Sequence, residues 1–271
     1  MPPVPHSISS VYSLLQRLRS ARHRFWYGVS EHVRWSRGAF HETPAQQLTG
    51  LSFEQAQRIA ALQTRYQVQF ERVVSTATAI NNYEYLDILD RAFAAAGMIR
   101  PLGGELHDVG CASFWYAAAL GAFFRPAATV GIDVEGYRLF KDGRTRIDYA
   151  KGYLAALSNA RFLVADYAAV ALPADIITAW FPFVTPAAIL AWRLPLSLLQ
   201  PQRLFERIYL NLRPAGHFIM VNHGVDEARV AENWCNATGL RCAFRTAQAG
   251  ALSAHRAAPA VLSIWRRGPA A

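Results

Sequence analysis

The stretch ELHDVGCASFWYAAALGAFF, Glu105 to Phe124, decides how the chain reads. Glu105 to Val109 has the length and composition of a short buried strand, and Gly110-Cys111-Ala112-Ser113 is a small-residue corner. Tyr116 to Phe124 then reads as an alanine-rich helix. A strand entering a helix through a tight glycine corner aims backbone N–H groups and a helix N-terminus at one spot. Asp108 falls at the carboxyl end of the strand, the end at which open α/β sheets hold ligands. The pattern is that of a nucleotide-type binding corner.

Downstream of this corner, strand and helix signals alternate. Ala128 to Asp133 reads as a strand ending in an acid, and Gly136 to about Leu157 reads mainly as helix, broken near Lys141-Asp142-Gly143. Ala160 to Ala165 is a third strand followed by Asp166, and Ala174 to Ala179 is a fourth, with Asp175 at its start in a structural role. A helix over Pro201 to Leu212, a turn at Arg213-Pro214-Ala215-Gly216 and a strand over His217 to Asn222 come next. A helix from Asp226 to Thr238 precedes two strands, Leu240 to Thr246 and Ala260 to Trp265, that pair as an antiparallel hairpin. This alternation predicts a doubly wound, mostly parallel sheet with helices on both faces.

Upstream, the first hundred residues read as helices. Ser52 and Gln55 form a capping box for a helix to about Val74, with Ile59, Leu62, Tyr66, Phe70 and Val73 inward. A second helix spans about Asn82 to Ala96, with Tyr85, Leu86, Leu89 and Phe93 inward and Gly97 at its end. Before them, Ser9 or Ser10 is a candidate cap for a helix to about Phe25, with Val11, Leu14, Leu15 and Leu18 on one face. Arginines at 17, 19, 22, 24, 34 and 37 alternate there with Phe25, Trp26, Tyr27 and Trp35. That composition suits RNA or anionic lipid. The favoured expectation is an amphipathic helix that packs its aromatics inward and solvates its arginines. The division follows as residues 1–100, a helical cap or packing extension, and residues 101–271, the binding domain.

Composition limits the function classes. The chain has 271 residues, 52% of them hydrophobic, which is enough for a sizeable core. Of its 28 basic residues only Lys141 and Lys151 are lysine, so the net charge of +9 is weak support for a nucleic-acid partner. Cys111, Cys235 and Cys242 show no metal-ligand spacing and read as reduced core thiols of a cytoplasmic protein, with no metal expected. No secretory signal is apparent. Ile176 to Trp192 is apolar, but Pro182 and Pro186 interrupt it, so no membrane span is expected.

From Glu105 to Arg267, about three-fifths of its length, the chain resembles the class I S-adenosylmethionine-dependent methyltransferases. Asp108-Val109-Gly110-Cys111-Ala112 is similar to that family's acid-x-Gly-x-Gly loop. Val130-Gly131-Ile132-Asp133 resembles its second-strand ending, Val164-Ala165-Asp166-Tyr167 its adenine-recognising segment, and Leu212-Arg213-Pro214-Ala215-Gly216 the turn before its fifth strand. The resemblance implies a seven-stranded Rossmann-like sheet. It also implies S-adenosylmethionine as cofactor, bound by Asp108, Gly110, Cys111, Ala112, Asp133, Asp166 and Tyr167, with Asp133 on the ribose hydroxyls. Asp133 follows Gly110 by 23 residues, close to the roughly 20-residue offset of a ribose-binding acid. Ala112 and Phe114 stand where the loop's second and third glycines fall, and Phe114 and Trp115 are expected to add bulk at the mouth.

No catalytic residue is identified. Trp180-Phe181-Pro182-Phe183 is not the Asn/Asp-Pro-Pro-aromatic motif of amino methylation on nucleobases. The apolar run Ala179 to Trp192 favours a small, partly hydrophobic acceptor, admitted between that loop and the N-terminal helices. His223 is a candidate base or a solvated loop residue, Asp108 and Asp166 have the alternative of capping the helix or turn that follows, and Tyr149, Tyr153 and Arg146 either face the acceptor or pack their helix. No G-x-G-x-x-G supports a nicotinamide enzyme, and Tyr137 stands where a P-loop needs lysine. The competing reading is a catalytically silent methyltransferase-like protein that serves binding or assembly.

Overall fold

The computed structural model describes residues 12–248, 252 and 259–268. Its strands are β1 (Glu105–Val109), β2 (Ala128–Asp133), β3 (Ala160–Val164), β4 (Ala174–Trp180), β5 (Leu212–His223), β6 (Leu240–Gln248) and β7 (Ala260–Arg267). They form one seven-stranded sheet in the order β3-β2-β1-β4-β5-β7-β6. The first five run parallel, whereas β7 lies antiparallel to both β5 and β6. The strand order reverses between β1 and β4, and their carboxyl ends open the crevice in which such sheets hold ligands.

The helices are α1 (Leu14–Val33), α2 (Phe53–Tyr66), α3 (Thr76–Ala95), α4 (Ala117–Phe124), α5 (Arg146–Leu154), α6 (Pro186–Ala191), α7 (Pro201–Asn211) and α8 (Gly224–Ala237). One face of the sheet, with Leu106, Ile176, Ile219 and Leu262, shares a core with α2, α3 and α4. The other, with Val130, Ile177, Phe218 and Met220, is covered by α7 and α8. A third cluster joins residues 189–199 to Tyr27 of α1.

The N-terminal helices follow their sequence signals with informative differences. The Ser52–Gln55 capping box is present, but α2 stops at Tyr66 because Gln67 takes a left-handed conformation with φ 57°. Phe70 then lies in a separate 3-10 turn, and Val73 points outward rather than into the core. Helix α3 begins six residues before the expected Asn82, capped by the Ser75 hydroxyl. Tyr85, Leu86, Leu89 and Phe93 are buried as expected.

The basic segment differs most. Helix α1 is capped by Ser13, while the candidate caps Ser9 and Ser10 and also Val11 lie outside the described residues. The helix turns its polar side inward. The Ser20 hydroxyl accepts from the Leu196 N–H at 3.0 Å, His23 Nδ1 lies 3.3 Å from the Leu194 carbonyl, and the Tyr27 hydroxyl donates to the Val134 carbonyl. Leu14, Leu15, Leu18, Phe25 and Trp26 are left exposed, contrary to the expected inward packing. A backbone partner 171 residues away in sequence decides the orientation, and periodicity cannot register it.

Two further expectations change. Helix α5 covers only Arg146–Leu154, because Leu139 and Thr145 bridge around a turn at Gly143 and take the preceding residues out of helix. Arg213–Gly216 is not a free turn but part of β5, where the pairing with β4 shifts register in a bulge. Cys111 and Cys235 are buried thiols, but Cys242 is exposed. Among the described residues no helix is long and apolar enough to cross a membrane, and no cluster of candidate metal ligands occurs.

Candidate functional site

A cavity of about 520 Å³ lies at the carboxyl ends of β1, β2 and β4. Its floor includes Gly110, Ala112, Asp133 and Asp166, its far wall is aromatic, and residues 181–200 form its roof. The position follows from the sheet order, since chains leaving β1 and β4 diverge there and cannot fill the gap.

The floor is a turn of left-handed residues. Gly110, Ala112 and Phe114 have φ of 70°, 51° and 53°, so three alternate positions of the corner take the conformation that favours glycine although two of them are not glycine. Each non-glycine residue costs about 1–2 kcal/mol in that conformation, and the neighbours hold the loop in place. The Ala112 N–H donates to Asp133 Oδ2 at 2.8 Å, and the Gly110 N–H to the Ile132 carbonyl at 2.8 Å. Phe114 is buried and does not lie at the mouth, which corrects the expected bulk there. Its ring occupies the space beside Gly131, where a Cβ would come within 2.4 Å of it. The aromatic side chain and the glycine on β2 are thus complementary. Trp115 does line the cavity.

The seven expected binding residues separate into three groups. Gly110, Ala112, Asp133 and Asp166 come together on the cavity floor. Asp133 accepts from the Ala112 and Glu135 N–H groups, each at 2.8 Å, which leaves acceptor capacity on both of its oxygens. Asp166 caps a short 3-10 turn over Tyr167–Ala169 through the Ala168 N–H and is otherwise exposed to the cavity.

Asp108 and Cys111 do not line the cavity. Asp108 is fully buried and accepts from the Tyr116 and Thr178 hydroxyls, each at 2.5 Å. Burial outweighs these bonds and pushes its carboxyl up to about 7. Cys111 is a core thiol whose ionisation burial pushes well above the usual range. Tyr167 borders the cavity but sends its hydroxyl inward, 3.2 Å from His107 Nδ1. Tyr149, Tyr153 and Arg146 also face away. Their polar groups bind Asp142, Glu42 and Glu135 respectively.

The aromatic wall escapes sequence reading, since its members come from distant positions. Tyr85 of α3 stacks on Tyr116 at 4.5 Å between centroids and lies 4.0 Å from Trp180 of β4. Phe181 takes φ 59° directly after β4 and stacks on His223 at 3.9 Å and 14°. A left-handed, β-carbon-bearing residue at the end of a central strand is a strained feature of the kind found at functional sites. Beside His223, Glu227 reaches the cavity with Oε2 accepting the His223 N–H at 2.8 Å. Its Oε1 is buried without a hydrogen-bond partner, and desolvation raises its carboxyl above the ordinary range.

Glu135 anchors the roof. Its Oε2 accepts from Arg146 and from the Trp192 indole, each at 2.9 Å, while Arg138 donates to the Trp192 carbonyl. With the α1 contacts to Leu194 and Leu196, these bonds fasten residues 181–200 from two sides.

No known sequence family and no curated protein matches the chain. Among solved structures, the chain is similar to a SAM-dependent methyltransferase from Aquifex aeolicus, at 15% identity over 67% of this chain and 88% of that one, with a TM-score of 0.49. It is similar to an S-adenosylmethionine-dependent methyltransferase from Clostridium acetobutylicum, at 9% identity, 79% and 99% coverage and a TM-score of 0.48. It is also similar to a putative RNA methyltransferase from Pyrococcus horikoshii, at 11% identity, 92% and 99% coverage and a TM-score of 0.47.

Proposed function

We propose that the protein is an S-adenosylmethionine-dependent methyltransferase acting on a small, partly hydrophobic acceptor. The observation that carries this reading is the joint position of Gly110, Asp133 and Asp166 on one cavity floor at the switch point of the sheet. A carboxylate at the end of β2 with acceptor capacity to spare suits two adjacent ribose hydroxyls. In this reading Asp166 accepts from an exocyclic amine, and Ala165, Ala168 and Val134, which line the cavity, offer apolar surface to a flat base. At Gly110 a Cβ would meet nothing within 4 Å, so the backbone is open to an approaching ligand. The chain's residues therefore fit the cofactor, which when bound supplies an electrophilic methyl group.

The acceptor side is apolar and aromatic. Trp180, Phe181 and Phe183 suit a hydrophobic molecule, and the surrounding walls limit its orientations, which is most of what in-line transfer asks of a protein. His223 and Glu227 are the groups placed to take a proton from such an acceptor. A carboxyl raised by desolvation is a stronger base than an exposed one.

Titration calorimetry with S-adenosylmethionine and S-adenosylhomocysteine tests the reading. Binding is expected, and Asp133→Ala is expected to weaken it about tenfold or more, as loss of a charged hydrogen-bond acceptor does. Well-folded protein that binds neither compound refutes the assignment.

A further inference from the structure

The outward face of α1 is unusual for a surface helix. Leu14, Leu18, Phe25, Val29 and Val33, with Leu15 and Trp26 beside them, fall within about 120° of the helix circumference. Leu14 and Leu15 are 72% and 73% exposed, and Leu18, Phe25, Trp26 and Val33 lie between 60% and 64%. The helix spends its polar side on the protein and presents its apolar side outward. Arg19 borders one edge of the stripe, Arg17 and Arg24 the other, and Arg22 and His32 sit within it. Its one acid, Glu31, is on the inward side and half-buried.

We propose that α1 anchors the protein to the surface of an anionic lipid bilayer. An aliphatic and aromatic stripe edged by arginines matches the interface between acyl chains and anionic headgroups. The helix lies on the membrane and does not cross it, in keeping with its arginines and polar inner face. A second copy fits the stripe poorly, because pairing two such faces buries Arg22 of each copy with no acid on either stripe to neutralise it. Single-stranded RNA fits poorly too, since Leu14, Leu18, Val29 and Val33 offer bases nothing to stack on. The anchor also sits directly over the cavity roof, through Ser20 and His23.

Flotation of the full chain with vesicles tests the proposal. One set is phosphatidylcholine alone, the other phosphatidylcholine and phosphatidylglycerol in equal amounts. The protein is expected to float with the anionic vesicles, to prefer them to the neutral ones, and to release as salt is raised. Leu18→Glu combined with Phe25→Glu weakens binding about tenfold or more, and Arg19→Glu combined with Arg22→Glu does so by a similar factor. All four side chains are exposed, so melting temperature and S-adenosylhomocysteine binding are expected to stay unchanged. Absence of vesicle binding, or binding that both pairs of substitutions leave intact, overturns the anchor. Self-association or binding of single-stranded RNA that these substitutions abolish, without preference for anionic vesicles, overturns it in favour of that partner.

Discussion

Asp108 has no exposed surface, and its two oxygens are taken by the Tyr116 and Thr178 hydroxyls. In the unfolded chain its carboxyl ionises near pH ~4, whereas in the folded protein burial holds its proton to about 7. Between those values the folded state binds more protons, so stability falls as pH rises. The contribution of the neutral acid is complete below about pH 4 and is lost as pH passes through about 7. Urea midpoints are therefore expected to drop between about pH 4 and about pH 7, and Asp108→Asn to flatten that drop. Parallel profiles for the two proteins would mean that Asp108 is already ionised in the fold. The sequence pointed to Asp108 as a ligand-facing acid because strand position alone does not tell a residue lining a crevice from one beneath it. The same ambiguity affected Phe114, whose partner Gly131 lies on the neighbouring strand. The cavity-lining positions of Asp133 and Asp166 were legible because Asp133 ends β2, Asp166 follows β3 by two residues, and each accepts from the N–H of its own turn.

At the scale of elements, Glu135 fastens one side of the roof and the α1 contacts fasten the other. Glu135 at 6% exposure compensates Arg146 at 2% and holds the Trp192 indole. Replacing Glu135 with Gln keeps its shape and an acceptor for Trp192, but leaves the buried guanidinium without its counter-charge. A loss of about 3 kcal/mol in chemical denaturation is expected. Trp192→Phe removes a single hydrogen bond and should cost about 1 kcal/mol. Equal losses for the two would place the roof's stability in Trp192 packing instead. Local signals found α2 and α3 and most of their inward residues, since a 3.6-residue period is contained within each helix, but they missed the end of α2 and the Ser75 cap that starts α3. They failed for α1 and α5. The orientation of α1 is set by the backbone at 194–196, and the start of α5 by a bridge and a glycine turn.

For the whole molecule, the order of acids and glycine turns made the sheet legible, because Gly110, Asp133 and Asp166 fall at or just past the ends of β1, β2 and β3. The relation between the sheet and residues 1–100 was not legible, since it rests on contacts between distant side chains. Phe93 of α3 packs 5.2 Å from Phe123 of α4, and Asn82 bonds both the Trp115 carbonyl and the Ala119 N–H. Tyr85 of α3 completes the cavity wall with Trp115 and Trp180. One apolar cluster thus runs from Ile59 through Leu86 and Leu120 to Ile264, and a helical layer that shares it has no separate core to retain on its own. Far-UV circular dichroism, which follows all helices and strands, and tryptophan fluorescence, which includes Trp115 and Trp180 at the seam, should report one coincident unfolding transition. Leu86→Ala, at a fully buried position, should shift both midpoints together by a loss of about 3 kcal/mol. If circular dichroism alone shifts, or the transition splits, α2 and α3 fold as a unit apart from the sheet, and the cavity wall must then be assembled by docking of two units rather than by one folding event.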